Sequence, residues 1–69
     1  MKLKNNLKEL RKQRGLTQAS LAEMVEVSRK TINTVENGVF IPSTILALSI
    51  AKTLETSVEE VFFLENRKQ

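Results

Sequence analysis

Apolar residues recur along this chain in short runs at three- and four-residue intervals, separated by Gly, Pro and residues that cap helices. That period belongs to helices with one buried face. Leu7 and Leu10 form the first stripe. In the stretch 18–37, Leu21, Ala22, Val25, Val27, Ile32 and Val35 are spaced to share one core. Gln18, Ser20, Arg29, Lys30, Asn33 and Thr34 are left pointing outward. Leu46, Ala47, Ile50, Ala51 and Leu54 make a further stripe, and Val58, Val61 and Phe62 belong to a last short helix.

The punctuation agrees with the stripes. Asn5 or Asn6 is placed to cap the first helix, and Gly15 suits the left-handed position that closes it. Leu16 then tucks into the core. Thr17 and Ser28 stand as N-caps of the second and third helices, and Gly38 ends the third. The connector Val39-Phe40-Ile41-Pro42 is unusually apolar, which predicts that Phe40 or Ile41 packs onto the domain. Pro42 stops any continuation and Ser43 caps a fourth helix. Ser57-Val58-Glu59-Glu60 has the spacing of a capping box, with Glu60 reaching back to the Ser57 amide. Met1–Lys4 and Phe63–Glu65 can pair as two short strands, and the polar tail 66–69 is expected to fray. The fold class is therefore all-α: five short helices, with room for a two-stranded antiparallel sheet made by the chain ends. Residues 1–69 form a single domain, with a helix-turn-helix at 17–38. No helix so short is stable alone, so packing must hold the set together.

Composition narrows the chemistry. There is no Cys and no His, which removes disulfides, thiolate metal sites and the commonest general base. Glu59 and Glu60 are adjacent, so on a helix they point to different sides and cannot work as an acid–base pair. No catalytic residue, metal ligand, cofactor or small-molecule ligand site is expected, and an enzyme is excluded. No apolar run reaches the ~20 residues of a membrane span, and no signal pattern opens the chain, so the expected setting is cytoplasmic, without a membrane partner. The net charge is +3, but residues 1–34 carry eight basic and three acidic side chains while residues 35–69 carry three and five. A basic first half suits a polyanion partner. A domain of 69 residues buries about 60% of its unfolded surface, which gives it reason to pair with a second copy.

The exposed half of 18–37 carries the functional signal. Arg29 and Lys30 open a helix, where positive charge opposes the macrodipole by a few tenths of a kcal/mol or more. A purely structural helix would more readily place Asp or Glu there. An outward row of Arg, Lys, Asn and Thr on a short second helix is what reading base edges in a DNA major groove requires. The buried half has the matching requirements: a small residue at the helix crossing (Ala22), an apolar plug in the turn (Val27), and two buried positions three apart (Ile32 and Val35).

These residues resemble the lambda-repressor-like family of phage Cro and repressor DNA-binding domains, the XRE type. The resemblance covers residues 7–62. It is carried by Arg11, Gly15-Leu16-Thr17-Gln18-Ala19-Ser20-Leu21-Ala22, Val27-Ser28-Arg29-Lys30-Thr31-Ile32, Val35-Glu36-Asn37-Gly38, Pro42-Ser43, Ala51 and Leu54. The stand-alone length and apolar chain ends are similar to the small dimeric regulators typified by the cytolysin repressor. The resemblance implies that Arg29, Lys30, Asn33 and Thr34 contact bases. Phosphate contacts would come from Thr17, Gln18, Ser28, Thr31, Asn37 and Ser43, with amides around Val39–Ser43. Gln18 would also brace the residue that opens the third helix. Arg11 and Glu36 match a structural salt bridge between the first and third helices. One departure stands out: Glu26 occupies a turn position that is often Gly, where the backbone tends to be left-handed, at a cost of about 1 kcal/mol.

The expectation is a transcriptional regulator, a repressor, that binds double-stranded DNA as a homodimer on a palindromic operator. Its dimer interface is expected around Val58, Val61 and Phe62, helped by the apolar C-terminal residues. The alternative is an antitoxin-type protein-interaction module that also represses its own operon.

Overall fold

The computed structural model describes residues 1–65. Strand β1 (Lys2–Asn5) leads into helices α1 (Leu7–Gln13), α2 (Gln18–Met24), α3 (Arg29–Glu36), α4 (Thr44–Thr53) and α5 (Val58–Val61), and strand β2 (Phe62–Glu65) closes the chain. The expected pairing of the ends is present. β1 and β2 are antiparallel, with Lys2 opposite Glu65, Leu3 opposite Leu64, Lys4 opposite Phe63 and Asn5 opposite Phe62. The fraying expected of 66–69 lies outside the described residues. Among those described, no helix is long and apolar enough to cross a membrane.

Local chemistry sets nearly every helix boundary. Thr17, Ser28, Ser43 and Ser57 each accept a hydrogen bond from the backbone N–H three residues on, at 3.0–3.2 Å. Each satisfies one of the amides that a helix start leaves unpaired. Two details differ from expectation. The reciprocal capping box forms at Thr17, whose own amide donates to the Ser20 hydroxyl at 2.9 Å. At Ser57 only half of it forms, because the Glu60 carboxylate accepts from the Thr56 hydroxyl instead. At α1 the residue in the cap position, Asn6, makes no side-chain cap. Asn5 takes that task, its Oδ1 accepting from the Leu7 N–H at 3.0 Å.

The four longer helices end alike. In each, the residue after the cap has positive φ: Gly15 (71°), Glu26 (63°), Gly38 (75°) and Glu55 (58°). Paired back-bonds then close the end, as in Gly15 N–H to the Lys12 carbonyl (2.9 Å) with Leu16 N–H to the Arg11 carbonyl (3.1 Å). This is the Schellman motif, which satisfies carbonyls that the last turn would otherwise strand. Two of the four positions carry Glu, which lacks glycine's freedom there.

The core comprises Leu7, Leu21, Ala22, Ile32, Val35, Leu46, Ile50, Ala51, Leu54, Val61 and Phe62. Val25 and Val27, expected in the same core, are half-buried and pack against it. Two expectations are corrected. Phe40 and Ile41 do not pack onto the domain; they are 47% and 71% exposed. The cause lies at the end of α3, where the Val39 and Phe40 amides both bond the Thr34 carbonyl (2.9 and 3.2 Å) and hold the connector outside. Val61 and Phe62, expected at a dimer interface, are buried within this single chain. α5 is one turn long and runs straight into β2, and the Asn6 N–H bonds the Val61 carbonyl at 2.8 Å. That clamp turns both side chains inward, and only Val58 of the three keeps partial exposure.

Candidate nucleic-acid interface

α2 and α3 pack across each other through Leu21, Ala22, Ile32 and Val35, and the side chains left over form one outer surface. Ala22, 2% exposed, sits where a larger residue would push the helices apart. The turn between them is closed by backbone hydrogen bonds. Glu26 N–H bonds the Glu23 carbonyl at 3.2 Å, and Val27 N–H bonds the Ala22 carbonyl at 2.9 Å. Val27 is then half-buried as a plug, and Ser28 opens α3.

Beneath this surface lies a chain of polar contacts that reaches from the core to solvent. The Arg11 Nε donates to Glu36 Oε2 at 2.6 Å, and Arg11 Nη1 donates to the Leu16 carbonyl at 2.8 Å. The two side chains are 8% and 3% exposed, so this is a buried ion pair. The same carboxylate accepts from Gln18 Nε2 at 2.9 Å. Gln18 Oε1 in turn accepts from Arg29 Nη1 at 3.4 Å. Because Glu36 can only accept, the Gln18 amide is oriented with its nitrogen inward and its oxygen toward Arg29.

The residues expected to read bases divide by exposure. Arg29 and Lys30 are exposed at the start of α3, while Asn33 and Thr34 are half-buried one turn on. The Thr34 hydroxyl donates to the Thr31 carbonyl at 3.0 Å, and Asn33 Oδ1 accepts from Asn37 Nδ2 at 3.3 Å. Those hydrogen bonds fix the two side chains before any ligand arrives.

Most of the residues expected at phosphates have structural tasks. Thr17 donates its hydroxyl to Ser20 Oγ at 3.1 Å, and the Ser28 and Thr31 hydroxyls are hydrogen-bonded to each other at 2.9 Å. What Thr17 and Ser28 hold toward solvent is chiefly the ring of amides at the starts of α2 and α3, which favours anions. Ser43 accepts from the Leu46 N–H and keeps its hydroxyl proton. Asn37 is exposed at the far end of α3.

One tie beneath this surface joins residues far apart in the chain. Asn5 Nδ2 donates to the Val35 carbonyl at 3.0 Å, tying β1 to the last turn of α3 across 30 positions of sequence. Nothing local in the sequence signals that bond. Gln18 bonding Glu36 likewise depends on tertiary placement.

Two crossed helices, a plugged turn and a polar row on the outer side of the second helix define a helix-turn-helix domain of the type found in transcriptional regulators. The comparisons agree. The helix-turn-helix family model HTH_3 matches residues 7–61, so the chain belongs to that family. An uncharacterised HTH-type transcriptional regulator of Bacillus subtilis, YgzD, is 44% identical over 63 residues, which is 91% of this chain and 96% of the relative. An uncharacterised HTH-type regulator of Methanothermobacter thermautotrophicus is 47% identical over 60 residues, covering 86% of this chain and 87% of the relative. Among solved structures, the restriction-modification controller protein C.AhdI of Aeromonas hydrophila superposes with a TM-score of 0.74 at 33% identity, covering 78% of this chain and 82% of that one. The clp gene regulator ClgR of Corynebacterium glutamicum gives 0.72 at 33% identity, over 75% of this chain and 55% of the other. These are folds and relatives of regulators, which are not enzymes.

Proposed function

We propose that the chain is a sequence-specific DNA-binding repressor that acts as a homodimer on a palindromic operator. The observation that carries this reading is the polar chain Arg11–Glu36–Gln18–Arg29. A buried ion pair orients an amide, and the amide steadies an exposed guanidinium at the start of α3. An Arg presented there can donate both its forks to the two acceptors of a guanine edge. Lys30, Asn33 and Thr34 extend the same row, and Asn37 and the helix-start amides take phosphates. Two copies of α3 would then enter successive major grooves about 34 Å apart. Repression follows from occupying a promoter.

With Val61 and Phe62 in the core, the dimer seam falls to Val58 and the exposed β2 residues Phe63 and Leu64. The test of the reading is a selection of bound fragments from random-sequence DNA. An enriched inverted repeat is the expected result, and failure to enrich any half-site would overturn it.

A protein-interaction module of the antitoxin type gains support from one observation. Val39, Phe40, Ile41, Ile45 and Leu48 are all exposed, more apolar surface than a seam at Val58 uses. Stoichiometric co-purification with a small partner protein, lost in a Leu48→Lys variant, is the outcome that favours it.

A further inference from the structure

Lysines 2 and 4 lie outside the helix-turn-helix, yet the fold brings them to the end of α3. Asn5 Nδ2 bonds the Val35 carbonyl, which pins the end of β1 against the last turn of that helix. Along β1, Leu3 and Asn5 are half-buried while Lys2 and Lys4 are exposed. A cleft runs between β1 and the end of α3, lined on one side by residues 1–5, Lys2 and Lys4 among them, and on the other by Glu36, Asn37, Gly38 and Ile41. Its accessible charge is positive. The acid in its lining is Glu36, whose carboxylate is already taken by Arg11 and Gln18 and is 3% exposed. Lys4 stands opposite Phe63, with no acid across the sheet, while Lys2 stands opposite Glu65. Neither lysine forms an ion pair among the described residues.

We propose that Lys2 and Lys4, on the strand that flanks the end of α3, form a phosphodiester site that holds a DNA backbone strand beyond the helix-turn-helix. This rests on the DNA-binding reading above. A backbone strand whose phosphate sits on Asn37 continues along the cleft, past the two lysines. β1 is paired with β2 along one edge and tied to α3 by the Asn5 side chain at its end, so the lysine stems start from an ordered strand. The contribution is to affinity and placement on the duplex, because phosphate contacts carry no base information. Lys4 supplies the larger share, since Glu65 offsets part of the charge of Lys2.

The experiment measures binding of a fluorescein-labelled duplex by anisotropy over a series of salt concentrations. The duplex is the one enriched from random-sequence DNA, with an unrelated duplex beside it. The wild type is compared with Lys2→Ala/Lys4→Ala, with the charge-keeping Lys2→Arg/Lys4→Arg, and with Lys8→Ala/Lys52→Ala as an equal change of net charge elsewhere. Each phosphate neutralised contributes about 0.9 to the slope of log affinity against log salt. The proposed homodimer brings four such lysines to one operator, so the Lys2→Ala/Lys4→Ala slope should be shallower by up to about 3.6, and this variant loses roughly a hundredfold less affinity than wild type between about 50 and 200 mM salt. The effect should be the same on both duplexes, and the arginine pair should keep the wild-type slope. Unchanged slope in Lys2→Ala/Lys4→Ala overturns the proposal, as does an equal change in the Lys8→Ala/Lys52→Ala control, which would mark a long-range effect of net charge. A wild type that binds neither duplex overturns the DNA-binding reading itself, which separates the two failures.

Discussion

Glu36→Ala is the most informative single change, because Glu36 supports both the fold and the surface proposed to read bases. The substitution leaves the buried Arg11 side chain with the Leu16 carbonyl as its remaining bonded partner. Stranding one member of a buried ion pair costs about 3–5 kcal/mol. A domain of 69 residues has roughly 3–10 kcal/mol of stability in total. The variant should therefore lose a large part of its stability, or unfold. With a urea m-value of about 1 kcal/mol/M for so small a domain, the midpoint should fall by about 3 M or more. The assay is urea denaturation followed by far-UV circular dichroism at one fixed protein concentration, since a dimer makes the midpoint depend on concentration. A companion, Arg11→Met/Glu36→Leu, replaces the pair with apolar side chains and should recover at least half of the loss. It should still bind DNA with weaker base discrimination, because Gln18 has lost the acceptor that orients it. A Glu36→Ala midpoint within about 0.5 M of wild type would refute the reasoning, as would a double variant no more stable than the single one.

Three other changes test other parts of the structure. Arg29→Ala should cost about 1–3 kcal/mol at one base pair and relax preference there, checked by binding to duplexes varied at each position; an equal loss on every sequence would make Arg29 a phosphate contact only. Glu26→Gly should stabilise the domain by up to about 1 kcal/mol, because Glu26 holds φ at 63°, and thermal unfolding reads the change. Leu64→Asp, at a site 57% exposed, should leave the fold intact and weaken self-association in sedimentation velocity; an unchanged profile would move the dimer seam away from β2.

Where a feature depends on neighbours a few positions away, the amino-acid order already contained it. Thr17, Ser28, Ser43 and Ser57 were legible as caps because a cap reaches only three residues along the chain. Gly15 and Gly38 marked helix ends by their residue type. Glu55 did the same structural task unannounced, since a Glu carries no signal for the left-handed backbone it adopts. Arg11 and Glu36, 25 positions apart, were anticipated through family resemblance, and the observed bond at 2.6 Å agrees.

The divide between sequence and tertiary structure runs along the distance of each contact. Hydrophobic period and punctuation alone determined five helices, a crossed pair at 17–38 and the polar row that faces outward from it. They could not say which apolar residues were surplus. Val61 and Phe62 went inward because pairing of the two chain ends ties the end of α5 to Asn6, just before α1, and Phe40 and Ile41 stayed outside because α3 closes on the Thr34 carbonyl. Nor could they place Lys2 and Lys4 beside the end of α3, which depends on one Asn5 side chain reaching a carbonyl 30 residues away. A period records which face of an element is apolar. Which neighbour covers that face is settled only when the whole set of elements packs together.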